Sequence, residues 1–305
     1  MSLGQKVIVT VGAFVITFIT ICTFFKNDID FLLTSRTVER NYGNTAENIY
    51  FAEDNFSYVN NYEQAEVHSK QEIIDAIYYL INSGVTYSKR YCAKEYDGCY
   101  QDMEAISSDA NLLSLLNNYV HPYNSFDSII FNFDEDIIEI EIKHTYSKEE
   151  IEQINQEVEK IIDANISSNM STKEKIKAIH DLIINNTEYD TLKTKNVNDT
   201  TYRSNTAYGV LMEGFGICSG YSDTMKIFLD KLNIINYKIS NDQHIWNLVY
   251  LDGVWLHLDL TWDDPVSDKN ITRDNYFLID TKTLELLDDD VHYFNSSVFH
   301  EALNL

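Results

Sequence analysis

At 305 residues the chain is long enough for one large domain or two small ones, with ample material for a core. A hydrophobic share of 44%, with 21 tyrosines and only two prolines, excludes a disordered or collagen-like protein. Forty-eight acidic against 23 basic residues, a formal charge of −25, disfavour nucleic acid and anionic lipid headgroups as partners. Neutral or basic partners, such as lysine-bearing peptides, are favoured; plain solubility explains the same charge.

Val7 to Phe25 runs 19 residues without a charge, between Lys6 and Lys26. As a helix it would be about 28 Å long, close to the thickness of a bilayer's hydrocarbon core. We read residues 1–6 as a cytoplasmic tail and 7–25 as an uncleaved transmembrane helix. A cleaved signal peptide is the alternative, but no small-x-small site follows the run. Cys22 lacks the small preceding residue of a lipidation box. With the short tail inside, the expected location is the cell membrane, single-pass, with the C-terminal part extracytoplasmic.

Residues 27–68 are polar and weakly periodic and read as a juxtamembrane spacer. Ser69-Lys-Gln-Glu72 is a capping box for a helix with Ile73, Ile77 and Leu80 on one face. It opens an accessory α/β region over 69–146. Cys92 and Cys99 enclose a short loop whose spacing does not suit zinc. A local disulfide fits an oxidising compartment, with two free thiols as the alternative. Ile137 to Lys143 alternates isoleucine with glutamate or lysine and predicts a half-buried strand.

A cut near Tyr146 separates a second domain, 147–305. Ser147-Lys-Glu-Glu150 and Ser171-Thr-Lys-Glu174 cap two more amphipathic helices. A further helix starts at or just after Cys218, with Tyr221, Met225, Phe228, Leu229 and Leu232 as its stripe. Strands at 244–250 and 254–261 flank Asp252-Gly253, a two-residue hairpin signal.

The order cysteine, histidine, carboxylate carries the chemistry. Cys218 sits at a helix N-terminus, where the helix dipole and unpaired N–H groups favour a thiolate. Gly216 and Gly220 keep side chains out of the way. If Asp252 and Gly253 form a two-residue turn, paired residues sum to 505 and His244 shares a face with Asp259, one diagonal step away. Asp259 then accepts the imidazole N–H, although a strand aspartate before Leu-Thr also suits a turn or cap. His257 lies on the same face as Asp259 and reads as a supporting group or a rival base. His180 reads as structural. His292, beside Asp288-Asp-Asp290, reads as part of a solvated acidic turn without a calcium-loop pattern.

Four segments share a family pattern: Thr206-Ala-Tyr-Gly-Val-Leu-Met-Glu-Gly214, Gly216-Ile-Cys-Ser-Gly-Tyr221, His244-Ile-Trp-Asn247, and Gly253-Val-Trp-Leu-His-Leu-Asp-Leu-Thr-Trp262 with Asp264-Pro265. They resemble the bacterial branch of the transglutaminase-like superfamily of papain-type folds, over about Ser147 to Asp280. The resemblance implies an α+β fold, its nucleophile at a helix N-terminus packed on an antiparallel sheet. It implies Cys218 as nucleophile, His244 as general base and acid, and Asp259 as orienting carboxylate. Tyr208 matches an aromatic position near the family's site, and Trp246 and Trp262 match pocket walls. No cofactor and no metal is implied. Ser222 stands where relatives often have alanine, and His257 lies near a common tyrosine. The superfamily holds glutamine–lysine cross-linkers, amide hydrolases and inactive members. The expectation is therefore a thiol enzyme acting on amide bonds of protein or peptide. The alternative is a non-catalytic binding or scaffold module at the cell envelope.

Overall fold

The computed structural model describes residues 48–134, 136–264, 274–287 and 291–304. The tail at 1–6, the apolar run at 7–25, the first part of the spacer and the acidic run at 288–290 lie outside them. Among the described residues, no helix is long and apolar enough to cross a membrane. Asn48–Leu305 forms one compact unit of helices and two main sheets.

The first sheet holds β1 (Glu66–Val67), β2 (Tyr87–Cys92), β3 (Phe126–Asp134) and β4 (Ile137–His144), in the order β1-β2-β4-β3. Strand β4 alternates as predicted: Ile138, Ile140 and Ile142 are buried, and Glu139 and Glu141 are not. Helix α1 (Lys70–Asn82) is capped by Ser69, whose Oγ accepts the Glu72 N–H at 3.2 Å. Its Ile73, Ile77 and Ile81 share a core with those β4 isoleucines. The Cys92–Cys99 disulfide ties the end of β2 to the start of α2 (Cys99–Ser108), which leads into α3 (Ala110–Leu116).

Two expectations about organisation are corrected. Residues 48–68 are not a loose spacer: Phe56, Val59 and Val67 are buried, and β1 pairs in parallel with β2. Nor does the chain break near Tyr146. Phe56, Ile77 and Tyr119 share one core with Tyr237, Trp246, Leu248 and Phe299 from the other side of that cut. The rings of Tyr119, Tyr237 and Phe299 stack, with the Tyr119–Tyr237 centroids 5.1 Å apart. Stacked aromatics of this size contribute large buried area as well as ring–ring attraction.

The second core is helical. α4 (Lys148–Asn165) and α5 (Thr172–Asn186) both carry complete capping boxes, Ser147 with Glu150 and Ser171 with Glu174. Their isoleucine stripes pack with α7 (Cys218–Lys231). Between them lie the parallel pair β5 (Glu188–Tyr189) and β6 (Phe215–Gly216), α6 (Thr191–Lys195) and a π-helical segment, Gly209–Glu213.

Helix α7 is buried without a gap from Gly220 to Leu229, more than the single stripe expected. Its polar residues are buried because each finds a partner, as buried polar groups must. Lys238 Nζ donates to Asp223 Oδ1 at 2.5 Å, and the Tyr146 hydroxyl donates to Asp223 Oδ2 at 2.7 Å. Thr224 Oγ1 donates to the Gly220 carbonyl at 2.7 Å. The helix packs on the second sheet, β7 (Asn236–Ser240), β8 (Ile245–Leu251), β9 (Val254–Leu258) and β10 (Phe277–Ile279), antiparallel throughout in the order β10-β9-β8-β7. Two short helices, α8 (Leu260–Asp263) and α9 (Thr281–Leu286), flank β10.

Candidate active site

The hairpin that carries the histidine and the aspartate turns at Asp252 and Gly253, with φ of 53° and 90°. Two left-handed residues suit the twist of the flanking strands. Pairing runs from Leu251↔Val254 to Asn247↔Leu258, the register that a two-residue turn dictates. Asp259 follows one residue beyond Leu258 and His244 stands one residue before the strand's first residue, Ile245, and His244 Nε2 lies 2.5 Å from Asp259 Oδ2.

The second strand stops at Leu258 rather than running on to Thr261. Asp259 itself is the cause. Its Oδ1 accepts the backbone N–H groups of Thr261 at 2.8 Å and Trp262 at 3.2 Å, which starts α8. Capping and orienting, rivals at the level of sequence, fall on the two oxygens of one carboxylate.

Cys218 is the first residue of α7, half-buried, and the one free cysteine among the described residues. Its location is set by backbone crossing the helix start: Ile217 N–H donates to the Ser204 carbonyl at 2.8 Å. A Cβ on Gly220 would meet that same carbonyl oxygen at 2.2 Å, so only glycine fits the crossing. Asn247 Nδ2, three residues after His244, donates to the Ser222 carbonyl at 3.0 Å and bolts the histidine's strand to the cysteine's helix.

Electrostatics favour a charged imidazole. Burial, the largest influence on His244, works against its charge, but the Asp259 carboxylate and a hydrogen bond with Cys218 outweigh it and push the ring up to about 10. With Nε2 turned to Asp259, Nδ1 is the nitrogen left for the sulfur. Burial also works to raise Asp259, and His244 and His292 together hold it below the usual carboxylate range.

The expected pocket aromatics separate. Trp246 is only 1% exposed and so lines no open pocket. It lies flat against His244, centroids 5.6 Å apart at 15°, and supports the imidazole from beneath. Trp262 is 37% exposed and stands edge-on to His244 at 6.5 Å. Tyr208 caps the π-helical segment and packs against the second core; among the described residues no hydrogen bond joins it to Cys218, His244 or Asp259.

His257 is not a rival base. Its Nδ1 accepts the Trp246 indole N–H at 3.0 Å, which leaves its proton on Nε2, facing Thr281 Oγ1 at 3.0 Å. Burial first, then His292, lowers its ring to about 3. His180 is fully buried, with Nε2 3.2 Å from Asp263 Oδ2 and Nδ1 2.9 Å from Asp181 Oδ1.

Sequence reasoning missed two groups. His292 is no solvated turn residue: it is buried, and its Nε2 lies 2.8 Å from Asp259 Oδ2. Nothing in Val-His-Tyr announces a contact with a residue 33 positions earlier. Tyr189, paired with Gly216 in the short parallel ladder, stands close enough to feel Cys218 and Asp259. Burial first, then those two charges, raises its phenol. The side-chain ligand atoms of His244, Asp259 and His292 lie within 4.8 Å of one another. Two N–H groups aimed at one carboxylate oxygen form a proton-sharing cluster that is already satisfied internally.

Residues 159–260 match the family model described as the transglutaminase-like superfamily, a span that holds Cys218, His244 and Asp259. A solved structure described as "Crystal structure of a TGase" is 17% identical, with a TM-score of 0.35, over 57% of this chain and 51% of that one. The chain thus spans about half the length of that structure. No curated protein matches. Residues 159–260 of this chain are thus similar to the transglutaminase-like superfamily.

Proposed function

We propose that the protein is an extracytoplasmic thiol enzyme, held at the cell membrane by residues 7–25, that acts on amide bonds of protein or peptide. The observation that carries this reading is the buried His244–Asp259 contact beside a half-exposed cysteine at a helix start. The raised His244 ring holds the Cys218 proton in a thiolate–imidazolium pair, and the Sγ anion attacks the amide carbonyl. The Cys218 backbone N–H, unpaired within the helix, faces the oxyanion that forms. Collapse breaks the C–N bond, and His244 returns its proton to the leaving ammonia or amine. A thioester remains on Cys218. Water or a second amine then attacks it, with His244 again taking a proton and passing it to the sulfur. The acidic surface favours a lysine-bearing partner for that second attack.

Cys218→Ala is expected to abolish thioester formation on a glutamine-bearing peptide, read by mass spectrometry; unchanged turnover in that variant rejects the reading. Incorporation of a dansyl amine during turnover identifies transamidation, and its absence with ammonia release identifies hydrolysis.

A further inference from the structure

We infer that His292 is a positioning residue for this chemistry, sharing Asp259 Oδ2 with His244 and so setting how strongly the carboxylate holds the catalytic imidazolium. The inference rests on the roles proposed for Cys218, His244 and Asp259.

The Asp259 carboxylate has about four acceptor sites, and this structure fills them. Oδ1 takes the N–H groups of Thr261 and Trp262, and Oδ2 takes Nε2 of His244 at 2.5 Å and Nε2 of His292 at 2.8 Å. Donors to one oxygen compete: each draws on the negative charge the other would use. A His292 N–H therefore weakens the grip of Asp259 on His244. The ring is held to this task on three sides. Tyr276 stacks on it at 4.6 Å and 23°, Trp246 meets it edge-on at 5.0 Å, and Trp262 at 5.1 Å. Tyr276 is fixed in turn by its backbone N–H to Asp263 Oδ1 at 3.1 Å, and Asp263 Oδ2 faces the buried His180. His292 lies beyond residues 159–260, so this grip comes from outside the matched domain.

The titratable groups around the cluster come from every neighbouring element: Cys218 on α7, Tyr189 on β5, His257 on β9, Asp263 on α8 and Tyr276 ahead of β10. Burial keeps His257 neutral and raises the Tyr189 phenol.

The test reads His244 directly, by histidine-selective nitrogen-15 NMR titration of the full chain, with iodoacetamide alkylation of Cys218 measured alongside. His292→Phe keeps the aromatic packing and removes the N–H. His292→Gln keeps a neutral donor at the same reach. The His244 imidazolium is expected to persist to higher pH in His292→Phe, by about half to one pH unit, as befits one hydrogen bond to a charged group felt through its acceptor. In His292→Gln it is expected to return to the unaltered value. An unmoved His244 in a folded His292→Phe protein overturns the inference, as does an equal shift in both variants, which would make packing the cause. Should His292→Phe not fold, the unaltered protein decides: Nε2 of His292 must carry a proton from pH 5 to 8, and a bare Nε2 overturns the inference. The two proposals fail separately. An ordinary thiol with a shifting His244 sinks the enzyme and spares His292; an activated thiol with an unmoved His244 does the reverse.

Discussion

Asp259 divides its oxygens between two tasks, one steering the chain into α8 and one holding imidazoles. The substitutions that separate the tasks follow. Asp259→Asn keeps Oδ1 as a cap and removes the charge. His244 is then expected to fall from about 10 toward 6.5 or below, with alkylation of Cys218 at pH 7 slowed at least about tenfold. Asp259→Ala also loses the cap, and its urea midpoint should drop by the equivalent of a further ~1 kcal/mol. The pair also marks stability. A ring raised above its ordinary 6.5 stabilises the fold fully below that pH and loses the contribution as pH climbs toward 10. A carboxyl held below its ordinary 3.8 contributes above that pH and loses it as pH falls. Thermal stability from this site should therefore peak between about pH 4 and 6.5 and decline toward pH 10, with the alkaline decline flattened in Asp259→Asn. At this scale Cys218, His244 and Asp259 were legible because a glycine-flanked cysteine, a motif histidine and strand parity all constrain them locally. His292 was not, since a ring delivered across 33 residues leaves no periodic trace.

The elements that place the site were largely written in the chain. Capping boxes at Ser147 and Ser171, the isoleucine alternation of β4 and the Asp252-Gly253 turn are short-range signals, each with its own physical cause. What escaped was tertiary. Helix α7 is buried on nearly all sides because Asp223 and Lys238 neutralise each other, a pairing no stripe reveals. The early end of β9 depends on a side chain turning back to its own backbone. The tight crossing of Ser204 over the helix start gives a test at this scale. Gly220→Ala must move either the helix or the crossing Ser204 segment by more than a methyl can absorb. It should cost about 1–3 kcal/mol of overpacking strain and slow Cys218 alkylation.

For the whole molecule, the boundary at Tyr146 was the least legible feature. Phe56, Tyr58 and Tyr119 join the core from segments without regular periodicity, so composition alone suggested a spacer and a separable region. A fragment of 147–305 is expected to lack cooperative unfolding, because Tyr237, Trp246 and Leu248 would lose their facing partners. A fragment of 48–305 should melt in one transition. Two separate, reversible transitions in the longer fragment would contradict the shared core. The family span of 159–260 likewise takes in the cysteine and its partners but omits both the N-terminal half of that core and His292.

The Cys92–Cys99 bond has a practical corollary. Because those two sulfurs consume each other, residues 48–304 display a single thiol to any electrophile. In a 48–304 fragment, which leaves out Cys22, one added mass per folded molecule then counts that thiol directly, and the fraction of molecules that resist tagging measures how much of a preparation has been oxidised or occupied, before any substrate is known.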